Sequence, residues 1–204
     1  LCMLPPSTDS VSLAGADVQP REACYPAMPC AIGPYVPHDA GMCLLDSVLR
    51  CDEHSLSADI TPTPDNLFAE PDDDGQAVIP AWVGLEWMAQ AIAAWSGLQA
   101  ARSGQPPRVG FLLGSRRYES EVAAFSCDCR WLIHVQLDYR ADNGLGAFEA
   151  TISDEHGATV ARAGVNVFEP APEPLPSAAS TQETAQESSP GQQDAAGASS
   201  QGNV

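Results

Sequence analysis

One long apolar segment dominates the hydrophobic pattern of this chain. Residues 82–98 contain no proline, and apolar side chains stand at almost every angle around a helix drawn through them. Pro80 lies just before the segment and suits the first turn of a helix, where a backbone N–H has no partner. The pattern therefore predicts a helix over residues 80–98. Because the segment is short for a membrane span and is flanked by acids, we expect protein, most simply a curved sheet, to enclose it.

Two polar residues interrupt this apolar segment. Glu86 and Gln90 are four positions apart, so they lie on one stripe of the helix. A carboxylate at such a position would lose its water, and burial would raise its pKa unless a partner pairs with it. Buried acids of this kind are candidates for catalysis, so Glu86 is the first candidate functional residue. The alternative is a structural acid that is satisfied by hydrogen bonds in the core.

The other apolar runs are short and have the spacing of strands. Before the helix, runs at residues 42–49 and 55–61 flank a polar turn, and residues 65–76 form an acidic loop. After the helix come four strand-like runs, at residues 109–118, 130–141, 147–153 and 158–168. Turn signals at residues 143–144 and 155–157 predict that the last three runs form an antiparallel meander. Two strands, a helix and four strands predict an α+β domain in which one antiparallel sheet curls around one helix.

The two ends of the chain lack any such period. Residues 1–33 carry prolines, small residues and cysteines and predict an irregular or disordered leader. Residues 170–204 are rich in Pro, Ala, Ser and Gln and predict a disordered tail. The folded domain is therefore expected over residues 34–169. The first residues lack the basic start and long apolar run of a signal peptide, which favours a cytoplasmic location.

Charge and cysteine usage exclude several functions. The formal net charge is -18, from 27 acidic and 9 basic residues, which argues against binding to a nucleic-acid backbone. The seven cysteines are odd in number and contain no CxxC pair, so neither a disulfide framework nor a zinc site is expected. Three adjacent aspartates, at residues 72–74, are typical of a solvated loop rather than a metal site. We therefore expect no metal, and free thiols in a reducing cytoplasm.

Several motifs resemble one known family. The matching segments are Pro37 and His38, then residues 44–46 (Leu-Leu-Asp), then Pro80 with residues 86–90 (Glu-Trp-Met-Ala-Gln). They resemble motifs of the β-hydroxyacyl-acyl-carrier-protein dehydratases, which have the hotdog fold, a sheet wrapped around one long helix. The tryptophan after the glutamate, and residues 110–114 followed by Tyr118, are most similar to the dehydratase subfamily of aryl polyene gene clusters. The resemblance covers residues 35–168.

The resemblance implies an activity that needs no cofactor. Members of the family remove water from a 3-hydroxyacyl thioester on an acyl carrier protein and give the trans-2-enoyl thioester. The resemblance implies that this chain does so in polyene or fatty-acid-like biosynthesis. Edge strands of hotdog sheets are commonly paired across subunits, so a homodimer, or a heterodimer with another hotdog chain, is expected.

One position departs from the family pattern and affects the choice of catalytic residues. Housekeeping dehydratases carry a histidine in a Gly-His-Phe-Pro segment before the helix, and Asp72 stands at the corresponding place here. The reaction needs a base for the α-proton and an acid for the leaving hydroxyl. We assign the acid to Glu86 and the base to His38, which precedes the first strand. The alternative for His38 is a structural histidine near a strand start.

Other residues are candidates for binding the substrate. The N–H groups of Val83 and Gly84 at the helix start are predicted to stabilise an oxyanion on the thioester carbonyl, although close packing would also explain Gly84. Gln90 is expected beside the substrate or packed behind Glu86.

Arginines supply all of the basic side chains in this acidic chain. Arg116 and Arg117, with Arg102 and Arg108 near the helix exit, are predicted to form a basic cluster. An acyl carrier protein is acidic and delivers its substrate on a phosphopantetheine arm, so Arg116 and Arg117 are candidates for docking it. The alternative is local charge balance.

Two other functions stay open at this point. The first is a hotdog thioesterase, in which the helix carboxylate activates water or attacks the thioester. The second is a non-catalytic hotdog subunit that completes the active site of a partner, which the absence of the loop histidine favours.

Overall fold

The computed structural model describes residues 24–38 and 41–170. Most of the predicted leader and the predicted tail from residue 171 therefore lie outside the described residues. Within the stretch predicted as leader, Cys30–Ala31 forms a strand and Ile32 is buried in the core. The ordered sheet thus begins four residues before the expected domain start at residue 34.

Ten strands and one α-helix follow one another in the described part of the chain. In chain order they are β1 (Cys30–Ala31), β2 (Ser47–Cys51), β3 (Ser55–Ile60), β4 (Glu70–Pro71), β5 (Ala77–Pro80), α1 (Val83–Arg102), β6 (Phe111–Ser120), β7 (Ala124–Ser126), β8 (Trp131–Arg140), β9 (Leu145–Ser153) and β10 (Thr159–Phe168). A single 3-10 turn, Gly33–Tyr35, follows β1.

Seven of these strands form one antiparallel sheet. Their spatial order is β1-β2-β3-β8-β9-β10-β6, so β1 and β6 are its two edges. The strands β8, β9 and β10 pair in succession, which confirms the predicted meander. Helix α1 packs on this sheet, and its buried residues Trp87, Met88, Trp95 and Leu98 share one hydrophobic core with the sheet. The predicted α+β architecture is confirmed.

The start of the helix differs from the prediction. The helix begins at Val83 and not at Pro80, because Pro80 ends strand β5 and pairs with Ala124 of β7. A proline tolerates this place since strand ends do not require its missing N–H. The strands β4, β5 and β7 form a separate three-stranded sheet that the sequence did not predict. Each has only two to four residues, too few to show a period.

The helix is not enclosed on every side, contrary to the expectation. One stripe of α1, containing Glu86, Ala89, Ala93 and Ser96, keeps partial contact with solvent. Trp82 at the N-cap is 63% exposed. The sheet therefore covers most of the helix and leaves one stripe for a functional site. In the described ranges, no helix is long and apolar enough to cross a membrane.

The described cysteines are free thiols with very different surroundings. Burial, and secondarily the charge of Asp52, raises the pKa of Cys51 to about 12, whereas Cys129 is exposed. A thiol with a pKa near 12 holds very little thiolate at pH 8, so we expect Cys51 to react with iodoacetamide at least about 100-fold more slowly than Cys129. Peptide mapping after timed alkylation measures both rates. Equal rates in the native protein would contradict the raised pKa of Cys51.

Candidate active site

The segment that carries His38 is fixed by close contacts with helix α1. The 3-10 turn crosses α1 at Gly97, where a Cβ atom would lie only 2.0 Å from the carbonyl oxygen of Tyr35. Only glycine permits this approach. Upstream, the Tyr25 hydroxyl donates to Gln99 Oε1 at 3.0 Å, and the guanidinium of Arg102 stacks over the Tyr25 ring. The chain before His38 is thus held against the last turns of the helix.

Gln90 holds the same segment on its other side. Its side chain is fully buried, and its Nε2 donates to the carbonyl oxygen of Met42 at 2.7 Å. Its Oε1 accepts the N–H of Leu44 at 2.8 Å. The same Nε2 also donates to Glu86 Oε1 at 2.9 Å. Gln90 therefore connects the segment around His38 to the carboxylate of Glu86, and of its two predicted roles the structure favours packing behind Glu86.

His38 and Glu86 are brought together by this arrangement. The distance from His38 Nε2 to Glu86 Oε1 is 3.9 Å, longer than a direct hydrogen bond and suited to two groups that act on neighbouring atoms of one substrate. The side chain of Glu86 is 34% exposed and that of His38 is 29% exposed. The expectation that Glu86 is desolvated is therefore wrong for the chain alone.

The pair opens into a cavity of 370 Å³, a volume typical of small-molecule sites. Between Glu86 and Ser96, the helix side of this cavity is formed by the apolar residues Ala89, Ile92 and Ala93. The opposite wall comes from the chain around β6 and the end of β10, and includes Val109, Gly110, Phe111, Leu112, Val167 and Phe168. A third, polar group of lining residues contains Ser96, Arg108 and Glu169. The cavity can thus accept an apolar chain with its reacting end at His38 and Glu86.

Val83 and Gly84 lie elsewhere than predicted. Neither residue lines the cavity, and the N–H of Gly84 already donates to the carbonyl oxygen of Ala81 at 3.0 Å. A Cβ atom on Gly84 would lie 2.6 Å from the Tyr118 hydroxyl and 2.8 Å from Cδ1 of Ile152. Close packing of the helix on the sheet, the alternative explanation for Gly84, accounts for a glycine at this position.

The packing around Gly84 gives a testable consequence. We expect Gly84→Ala to lower the free energy of unfolding by about 1–3 kcal/mol, because the added methyl group must displace Tyr118 or Ile152 in a filled core. Urea denaturation measures this change. Gly157→Ala is unsuitable as a control because its φ is +86°, so Gly33→Ala, which has open space around it, serves instead and should cost much less.

Asp72 stands where the family's loop histidine was expected, and its role is local. Its Oδ1 accepts the N–H groups of Asp74 at 3.0 Å and Gln76 at 2.8 Å, which closes the turn between β4 and β5. Asp72 does not line the cavity. Among the described histidines, His38 is the one that does.

The arginines of the predicted basic cluster pair with separate acidic residues. Three ion pairs use three different acids: Arg102 with Glu53, Arg108 with Glu169, and Arg117 with Glu119. Arg116 and Arg117 are exposed on the edge strand β6. Arg108 instead lines the cavity.

Sequence reasoning missed the polar group at Ser96, Arg108 and Glu169. These residues come from the middle of α1, the loop before β6 and the end of β10, so no local spacing links them. Glu169 was expected at the boundary between domain and tail. A polar residue directly after the last strand of a sheet is a weak signal that applies to many chains.

The sequence profile of the ApeP-like family, described as ApeP dehydratase, matches residues 30–179. The chain belongs to the ApeP-like dehydratase family. Among solved structures, the dehydratase heterocomplex ApeI:P from Xenorhabdus doucetiae resembles it with 29% sequence identity and a TM-score of 0.63, over 70% of this chain and 92% of that chain. The predicted resemblance and the hotdog fold of this ApeP-like dehydratase are confirmed.

More distant structures resemble this ApeP-like dehydratase less closely. A hypothetical thioesterase with coenzyme A from Streptococcus pneumoniae has 12% identity and a TM-score of 0.46, over 60% of this chain and 86% of that chain. The E. coli PaaI protein has 12% identity and a TM-score of 0.46, over 61% of this chain and 78% of that chain. Neither likeness bears on function. No curated protein matches the sequence.

Proposed function

We propose that this ApeP-like dehydratase converts 3-hydroxyacyl thioesters on an acyl carrier protein into trans-2-enoyl thioesters in aryl polyene or fatty-acid-like biosynthesis. The observation that carries the proposal is the pair of His38 and Glu86, with 3.9 Å between Nε2 and Oε1, at an otherwise mostly apolar cavity. An imidazole and a carboxyl group at this distance can reach two adjacent carbons of one acyl chain.

The two groups divide the reaction between them. Neutral His38 takes the proton from C2 of the acyl chain, and the electrons of that C–H bond form the C2–C3 double bond. The C3–O bond breaks, and the protonated carboxyl of Glu86 gives its proton to the departing hydroxyl, so water leaves. His38 is then cationic and Glu86 anionic, and a proton passing from His38 to Glu86 restores the pair. No electrons enter or leave, so the step needs no redox cofactor.

A second hotdog subunit would complete the site. The strand β6 is an edge of the sheet. More than half of the surface is exposed at Phe111 and Leu113 on this strand and at Val109 just before it. Phe111 also lines the cavity, so a chain that pairs with β6 would cover both the edge and the open side of the site. Such a cover would exclude water from the side chain of Glu86. The partner is a second copy of this chain or a different hotdog chain.

The carrier protein itself is proposed to dock near Arg116 and Arg117. We expect the double variant Arg116→Glu, Arg117→Glu to raise KM for a carrier-bound substrate about 10-fold, because it replaces attraction to an acidic partner by repulsion. The control substrate is the same acyl group on N-acetylcysteamine, for which kcat/KM should stay unchanged. An equal loss on both substrates would show that the two arginines affect the site itself.

Intact-mass analysis tests the proposed activity directly. The chain, alone and with its hotdog partner, is incubated with a panel of 3-hydroxyacyl carrier proteins. Loss of one water from the carrier-bound acyl group is the expected result. Release of the free carrier would indicate a thioesterase. Membership of a dehydratase family does not favour this second activity. Activity that needs the partner and survives loss of Glu86 would indicate a non-catalytic subunit.

A further inference from the structure

A carboxylate at the end of β10 is held by three different parts of the fold. Ser96 Oγ on α1 donates to Glu169 Oε2. Arg108 Nη1 lies 3.4 Å and Arg140 Nη2 lies 3.6 Å from Glu169 Oε1. The Glu169 side chain is only 15% exposed. Three partners from three separate segments therefore fix the position of the Glu169 side chain.

Backbone contacts with Gly144 also fix the position of Glu169. Its N–H donates to the carbonyl oxygen of Gly144 at 2.9 Å. Gly144 has a φ of +90°, and a Cβ atom there would lie 2.1 Å from the carbonyl oxygen of Glu169. Glycine is therefore required in the turn between β8 and β9 for Glu169 to reach its place.

Ser96 and Glu169 stand far along the cavity from the reacting pair. Both residues line the 370 Å³ cavity together with His38 and Glu86. Ser96 follows Glu86 by ten residues on α1, a rise of about 15 Å along the helix axis. Between them the helix presents only the apolar residues Ala89, Ile92 and Ala93 to the cavity. An acyl chain that starts at Glu86 therefore meets this polar group at its far end.

A second, smaller cavity lies directly behind that polar group. It has a volume of 30 Å³ and shares Ile92, Ser96, Val167 and Glu169 with the larger cavity. Its own lining residues include the aromatic side chains of Trp95 and Phe148. The contact between Ser96 and Glu169 is thus a wall between two spaces that are otherwise mostly apolar.

We propose that Ser96, Glu169 and Arg108 form the end wall of the acyl cavity and set the longest acyl chain that the enzyme accepts. The inference rests on the proposed dehydratase function. A methyl end that reaches the wall would have to press against a carboxylate and a guanidinium and remove their remaining water without offering a hydrogen bond. Chains too short to reach the wall would not meet this cost.

The test compares chain-length profiles of three proteins, each in its assembled state. kcat/KM is measured for saturated 3-hydroxyacyl carrier proteins of graded length with the wild type, Glu169→Ala and Glu169→Gln. We expect the wild type to lose activity above a definite length. Glu169→Ala, which opens the wall into the smaller cavity, should gain about 10-fold on the first chains beyond that limit, because each buried methylene favours binding several-fold. Glu169→Gln keeps the size of the side chain and should keep the wild-type limit.

A binding measurement gives a second answer that does not depend on turnover. A saturated fatty acid with a terminal bromine quenches a tryptophan that it touches, and Trp95 lines the smaller cavity. Quenching should be strong in Glu169→Ala, weak in the wild type, and reduced again when Trp95→Phe is added to Glu169→Ala. Melting temperatures confirm that each variant is folded.

The outcomes separate the two proposals. If no protein dehydrates any chain, the proposed function fails, while the quenching experiment still decides whether the wall exists. If the wild type is active and Glu169→Ala keeps both its chain-length limit and its unquenched Trp95, the end wall is wrong and the proposed function stands.

Discussion

Glu86→Gln is expected to reduce turnover by about two to four orders of magnitude while the protein stays folded. The amide cannot give a proton to the leaving hydroxyl, which is the role proposed for the carboxyl group. Its carbonyl oxygen can still accept the hydrogen bond from Gln90 Nε2, which is 2.9 Å long in the wild type. Initial rates with a 3-hydroxyacyl carrier protein, together with a melting curve, measure both parts of the prediction.

The control for this variant is an acid outside the cavity. Glu121→Gln changes a carboxylate whose side chain is 71% exposed and which pairs with Arg162, and it should leave turnover within about two-fold of wild type. Nearly normal turnover of Glu86→Gln would show that Glu86 has a structural role, in which its carboxylate only accepts the hydrogen bond from Gln90. His38→Ala should lose activity to a comparable degree, and added imidazole should restore part of it if His38 is the base. Full activity in His38→Ala would assign the base to another group or to the partner subunit.

Much of the fold follows from local pattern. The apolar segment that became α1 and the runs that became β8, β9 and β10 have enough residues to show a period, and the turns at Gly144 and Gly157 have the positive φ that their glycines predict. The strands β5 and β7 were missed because a pair of such short strands is stabilised by pairing across more than 40 residues of chain, which no local window contains. Pro80 was placed in the helix because its pairing with Ala124 of β7 is also a contact between distant segments. Its local preference fits a helix start as well as a strand end.

Part of the candidate site could likewise be predicted from sequence motifs, and part depends on tertiary contacts. His38 and Glu86 were proposed as catalytic because their motifs resemble those of a dehydratase family, and the structure places them 3.9 Å apart. What positions them is not visible in a motif. Gly97 matters only because the carbonyl group of Tyr35 crosses it, and Glu169 matters only because Ser96 and two arginines converge on it. Contacts between distant segments decide these roles, and one sequence does not contain their pairing.

Gln90→Met is the second variant from which a large effect is expected. Methionine has a similar volume, but it leaves the N–H of Leu44 and the carbonyl group of Met42 without their buried partner. Each lost partner costs about 1–3 kcal/mol, so the free energy of unfolding should fall by about 2–6 kcal/mol. Urea denaturation measures this change.

A purely structural role for Gln90 would affect stability alone, so kinetics must decide whether it positions the proposed catalytic pair. At a temperature where Gln90→Met is fully folded, we expect kcat to fall at least about 10-fold with little change in KM. The bonds of Gln90 to Glu86 and to the segment after His38 fix the geometry of the two proposed catalytic groups, whereas the apolar walls of the cavity do not depend on them. The control is Trp131→Phe. Trp131 also bonds backbone, through Nε1 to the carbonyl oxygen of Ser126 at 3.1 Å, but it does not line the cavity. Loss of stability in both variants with normal kcat in both would mean that Gln90 only supports the fold, whereas loss of kcat in Gln90→Met alone would establish it as the residue that holds His38 and Glu86 together.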